Sequence, residues 1–115
     1  MEDKFIREKV LAQMAAAEFQ KANGIVMRTI NLIFKNRWFK LSELITAVSS
    51  RNIEKENILD ALDYLEGRKY IQARDVDSRL TVEVLEADEE TTEMKLTSDG
   101  RLVNLGIIQD PGIEM

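Results

Sequence analysis

The sequence contains no cysteine and no histidine among its 115 residues. Without cysteine there can be no disulfide bond and no thiolate chemistry, and without histidine the commonest general base and metal ligand is missing. No nucleophile-elbow, Walker or dinucleotide-binding motif takes their place. The sequence therefore predicts a protein that is not an enzyme and that has no cofactor and no metal site.

Long apolar runs are also missing. No stretch approaches the roughly 20 apolar residues that a membrane-spanning helix needs. The first four residues, Met1 to Lys4, are acidic where a signal peptide would be basic. We therefore expect a cytoplasmic protein with no membrane partner, and the absence of cysteine fits that compartment. A chain of 115 residues with 44% hydrophobic content is expected to form a single domain, residues 1–115.

Charge is unevenly distributed, although the net charge is only −5. Residues 25–53 carry five basic residues against Glu43, a local charge of +4. Residues 54–67 and residues 87–99 each carry five acids against one lysine, a local charge of −4 in each. A negatively charged partner would thus meet the first segment, whereas the other two favour a basic partner.

The N-terminal segment predicts a helix over residues 3–22, with Asn23-Gly24 as its stop signal. At about 100° per residue, its apolar side chains fall on two nearly opposite stripes. The first stripe is Ile6, Val10, Met14 and Ala17, and the second is Phe5, Ala12, Ala16 and Phe19. One stripe can pack on the helix's own domain. The second stripe either forms a homodimer through this helix or is buried because the helix wraps deeply into a single domain.

The central part of the sequence predicts three further helices. Residues 25–36 place Val26, Ile30, Ile33 and Phe34 on one apolar stripe, and Leu41, Leu44, Ile45 and Val48 follow with the same period. After a polar turn at residues 49–52, Ile58, Leu62 and Leu65 repeat it. The short aromatic piece Trp38-Phe39 is expected to pair with a later strand and bury Phe39. Trp38 is either buried with it or exposed as a stacking residue beside Arg37 and Lys40.

A β-ribbon is predicted after the last of these helices. We expect strands at Tyr70–Asp75, Leu80–Glu86 and Thr92–Thr97, although the first two could form one strand interrupted at residues 77–79. The polar tip, residues 88–91, is expected to be a solvent loop. Thr97 or Ser98 would cap a last short helix, and residues 107–115 would form an irregular tail. The predicted fold class is α+β and mainly helical, with a three-helix core and a β-wing between an added N-terminal helix and a short C-terminal helix.

Two segments resemble the winged helix-turn-helix superfamily. Residues 65–71, LEGRKYI, are similar to the end of its third helix, and residues 96–101, LTSDGR, are similar to the strand-to-helix exit often written LTxxGR. The resemblance covers residues 24–106, and the sequence departs from the pattern in having Lys69 where a glycine is usual and in its extended wing. Residues 103–113 also look like the C-terminus of small winged-helix proteins encoded in Mu-like prophages. The resemblance implies a DNA-binding-type fold and a phage protein.

The function predicted first is a DNA-linked, transcription-regulator-type module that binds double-stranded DNA. In the usual mode the third helix enters the major groove. Here that helix turns Glu56, Asn57, Asp60, Asp63 and Tyr64 outward, and its three acids oppose phosphate contact. The residues that remain for nucleic-acid binding are Arg28, Lys35, Arg37, Lys40, Arg51 and Asn57.

The alternative function is a protein-interaction module that does not bind DNA. In this interpretation the acidic third helix and wing meet a basic protein partner, and the contacts come from Glu56, Asp60, Asp63 and Tyr64. Opposite charges on the two partners would favour their encounter and the specificity of the complex. The dimerisation residues are the same in both interpretations.

Overall fold

The computed structural model describes residues 2–115, with side chains from Lys4 onward. The acidic start predicted at Met1 to Lys4 thus lies largely outside the described side chains. The described chain is an α+β fold of four α-helices and a three-stranded antiparallel sheet. In order, its elements are α1 (Glu2–Thr29), β1 (Phe39–Lys40), α2 (Leu41–Ser49), α3 (Lys55–Gly67), β2 (Ile71–Asp75), β3 (Thr92–Leu96) and α4 (Ser98–Asn104).

Helix α1 is longer than predicted, because Asn23-Gly24 does not stop it. Asn23 is buried, and its side-chain amide donates a hydrogen bond of 2.8 Å to the carbonyl of Gly112. A Cβ at Gly24 would overlap the carbonyl oxygen of Glu114. The glycine thus permits the C-terminal tail to cross the helix closely, and the prediction of a stop signal was wrong.

The helix closes in a π-helical turn, Ile30–Phe34, so residues 25–34 continue α1 and do not form the separate helix predicted over residues 25–36. The amide of Lys35 donates to the carbonyl of Ile30 at 2.8 Å, and Lys35 itself is left-handed with φ 55°. This wider turn changes the predicted stripe. Val26, Ile30 and Phe34 are buried as expected, but Ile33 is 47% exposed.

Helices α2 and α3 agree with the periodicity of the sequence. Leu41, Leu44 and Val48 are buried on α2, and Ile58, Leu62 and Leu65 are buried on α3. The predicted polar turn joins the two helices, with Asn52 in the left-handed region at φ 63°. These two helices and the second half of α1 form the walls of the hydrophobic core.

The sheet has the strand order β1-β3-β2, with Phe39 opposite Met94 and Ala73 opposite Met94 on the other side. The predicted pairing of Trp38-Phe39 with the wing is confirmed at Phe39, which is buried and stacks on Phe34 at 4.3 Å between ring centroids. Trp38 is half-buried on the outer side of the sheet. The guanidinium of Arg74 lies 3.6 Å from its ring centroid and also pairs with Glu93.

The predicted strand Leu80–Glu86 is absent from the sheet. Thr81 makes a single bridge to Arg74, after which the chain turns into a short 3-10 helix, Val84–Glu86. The amide of Val84 donates to the carboxylate of Glu66 at 3.1 Å, so the segment packs on α3. Of the apolar residues in this segment, Val84 is buried, whereas Leu80 and Leu85 are exposed. The apolar alternation therefore does not mark a strand with one buried face.

The polar tip between β2 and β3, residues 88–91, is not a free solvent loop. The carbonyl of Glu89 accepts a hydrogen bond of 3.1 Å from the amide of Ser42, and its carboxylate pairs with Lys55. The tip is thus tied to the first turns of α2 and α3, where acidic groups are favoured by the helix dipoles. Thr97 caps α4 as predicted, since its hydroxyl accepts from the amide of Gly100 at 3.1 Å.

Candidate interaction surface

The N-terminal part of α1 projects from the rest of the molecule. Every residue from Lys4 to Phe19 is exposed, and we call this stretch the free segment. It is about 24 Å long at roughly 1.5 Å per residue, and the molecule measures 56 × 31 × 25 Å. Its large apolar side chains, with exposures of 46% to 70%, are Phe5, Ile6, Val10, Leu11 and Met14.

The stripe predicted for dimerisation lies on this free segment. Phe5 is 70% exposed, and Ala12 and Ala16 are exposed with it. Phe19 is 37% exposed and packs edge-on against Tyr64, with 5.2 Å between the ring centroids. At about 100° per residue the stripe continues into the buried face of α1. That buried face includes Asn23, Val26 and Ile30. The interpretation in which the whole helix wraps into its own domain was therefore wrong for residues 4–19.

The base of the free segment is fixed by a buried carboxylate that sequence reasoning missed. Asp110 accepts hydrogen bonds of 2.7 Å from the hydroxyls of Tyr64 and Tyr70, 3.0 Å from Nε of Arg68 and 2.8 Å from the amide of Gly112. A single acid within the apolar tail Ile107 to Ile113 was the available signal, because such an acid needs buried donors once the tail packs.

These contacts shift the pKa values of the groups involved. Burial opposes ionisation of Asp110, but the four hydrogen bonds outweigh burial and lower its pKa to about 2. Burial and the hydrogen bond to this carboxylate raise the pKa of Tyr64 to about 12. The cluster thus holds one negative charge at neutral pH, and that charge is neutralised by Arg68.

The anchored tail in turn holds α1. The amide of Glu114 donates to the carbonyl of Gln20 at 3.0 Å, and the carbonyl of Glu114 accepts from Nη1 of Arg28 at 3.0 Å. Asn23 also donates to Gly112, so the hydrogen bonds between α1 and the tail involve residues 20–28 of the helix. The tail therefore helps to hold α1 at the base of the free segment.

A groove of about 650 Å³ opens beside the free segment, between α1, the α2–α3 turn and the start of α3. Its apolar surface includes Phe19, Ile25 and Ile53, and its charged residues are Glu18, Lys21, Arg51 and Asp60. The remaining lining residues are Ala15, Ala22, Asn52 and Asn57. The groove is thus lined by a mixture of apolar side chains and charged side chains of both signs.

The residues predicted for nucleic-acid binding are all exposed and are spread over several elements. Arg51 and Asn57 line the groove together. Arg28 binds the tail, and Arg37 lies over the ring of Phe34. Lys35 follows the π-helical turn, and Lys40 lies in β1. The six side chains thus come from α1, β1, α3 and two connecting segments, and Arg51 and Asn57 share the surface of the groove.

The predicted acidic surface is present on α3 with one correction. Glu56, Asp60 and Asp63 are exposed. Tyr64 was expected to point outward, but it is half-buried between Phe19 and Asp110. Beyond Asp63, the side of α3 that carries Tyr64 is thus covered by Phe19 of α1 and Asp110 of the tail.

Within residues 2–115, no helix combines the length and the apolar composition needed to cross a membrane. The same part of the chain has no cluster of three or more acidic side chains placed to hold a metal ion. Comparisons with protein-family models, with curated protein sequences and with solved structures found no match.

Proposed function

We propose that residues 24–106 form a winged helix-turn-helix core. The second half of α1, α2 and α3 would be its three helices, and β1 would complete the wing formed by β2 and β3. The order of the elements and the strand order β1-β3-β2 support this assignment. The left-handed φ of 64° at Lys69 supports it as well, because this is the position where the resembling family usually has glycine. The phage origin rests on the similarity of residues 103–113.

The function that the geometry supports best is a non-enzymatic protein-interaction module that acts as a homodimer through the free segment. The exposed apolar side chains of the free segment, which lie on both of its stripes, carry this proposal. Large exposed apolar patches mark interaction sites, and their burial contributes about 25 cal/mol per Å². These side chains lie on a preformed helix, so binding of a partner costs little backbone conformational entropy.

Replacing Phe5 with glutamate tests the proposal. Phe5 is 70% exposed, so the substitution leaves the core of the monomer intact while placing a charge in the interface. We expect light scattering to show a dimeric mass for the wild type and a monomeric mass for the variant. Leu105→Glu is the matched control, because Leu105 is 69% exposed on the opposite end of the chain. A variant that stays dimeric would contradict the assignment of the interface.

DNA-linked regulation is the second candidate, and the order of the elements favours it. Groove docking by α3 is opposed by the three exposed acids and by α1, whose Phe19 packs on Tyr64. Acidic groups repel the phosphates that supply most non-specific affinity. A DNA complex would instead depend on Arg28, Lys35, Arg37, Lys40, Arg51 and Asn57.

Fluorescence anisotropy with duplex DNA separates the two candidates. We expect no binding by the wild type at micromolar concentration in low salt, and a gain of salt-sensitive binding in the double variant Asp60→Lys, Asp63→Lys. Wild-type affinity that falls steeply with salt, and that Lys40→Ala and Arg51→Ala weaken for all sequences, would instead establish DNA as the partner.

A further inference from the structure

We draw no further inference here: the strongest candidate, the groove between α1, the α2–α3 turn and the start of α3, is lined by apolar side chains and by charges of both signs, and nothing in the structure shows what covers it.

Discussion

Among single residues, Asp110 has the largest role, because its carboxylate joins the C-terminal tail to residues 64–70. Its partners are Tyr64 in α3, Arg68 directly after α3 and Tyr70 directly before β2. The side chain of Asp110 is 1% exposed in its ion pair with Arg68. Loss of the charge would leave buried hydroxyl donors without a strong acceptor, and such groups cost about 1–3 kcal/mol each.

We therefore expect Asp110→Asn to lower the free energy of unfolding by about 3 kcal/mol at pH 7. The pKa of Asp110 is lowered from 3.8 to about 2 in the folded protein, so its ionisation stabilises the fold above about pH 4. This contribution, about 2 kcal/mol at roughly 1.4 kcal/mol per pKa unit, is lost as the pH falls towards 2.

Urea unfolding of the wild type and the variant at several pH values measures this effect. The difference between them should be largest above pH 4 and should shrink towards pH 2. Asp63→Asn, an exposed change on the same helix as Tyr64, should alter stability by less than about 0.5 kcal/mol. A pH-independent difference for Asp110→Asn would contradict the assigned role of its charge.

At the scale of elements, α1 continues through a glycine that sequence rules treat as a terminator. Alanine usually stabilises a helix interior by about 0.5–1 kcal/mol relative to glycine. At Gly24 the added Cβ would overlap the carbonyl of Glu114, so we expect Gly24→Ala to destabilise the protein by more than about 1 kcal/mol and to release the tail. Thermal unfolding measures the change.

Gly67→Ala is the matched control for that substitution. Gly67 is the last residue of α3, and a Cβ there would meet no atom within 4 Å. This variant should be neutral or slightly stabilising. Equal effects of the two substitutions would show that the tail does not hold α1.

The elements that the sequence predicts well are those whose burial follows from local periodicity. Helices α2 and α3 are of this kind, because each buries one stripe in the same core. The segment Leu80–Glu86 was predicted as a strand from its apolar alternation. A strand also needs a neighbouring strand to pair with, and this segment instead packs on α3, where the amide of Val84 donates to Glu66. The helix stop at Gly24 failed for a similar reason, since the close approach of Glu114 is a contact between the two ends of the chain.

In the candidate site, too, the sequence predicts what local helical periodicity determines and misses what tertiary packing determines. Helical period alone places Phe5, Ala12 and Ala16 on one stripe, and their exposure agrees with a surface that has no partner within the described monomer. The groove could not be predicted, because Phe19 and Asp60 meet there only after α1 and α3 pack. The inward turn of Tyr64 was equally hidden, because its acceptor is 46 residues away.

At the scale of the whole molecule, the protein has an apolar projecting helix at one end and an anchored core at the other. Its length of 56 Å against 25 Å in the shortest direction reflects that projection. Two copies joined through the projecting helices would cover the apolar side chains on the facing stripe of each free segment. We therefore expect the free segment to be covered by the free segment of another copy.

Sedimentation equilibrium of the wild-type protein over a wide concentration range measures this self-association. The chain has a mass of 13.2 kDa. We expect the measured mass to rise to twice this value with increasing concentration and to stop there, because a two-fold pair is closed. A mass that remains at that of one chain at the highest concentration would contradict the account.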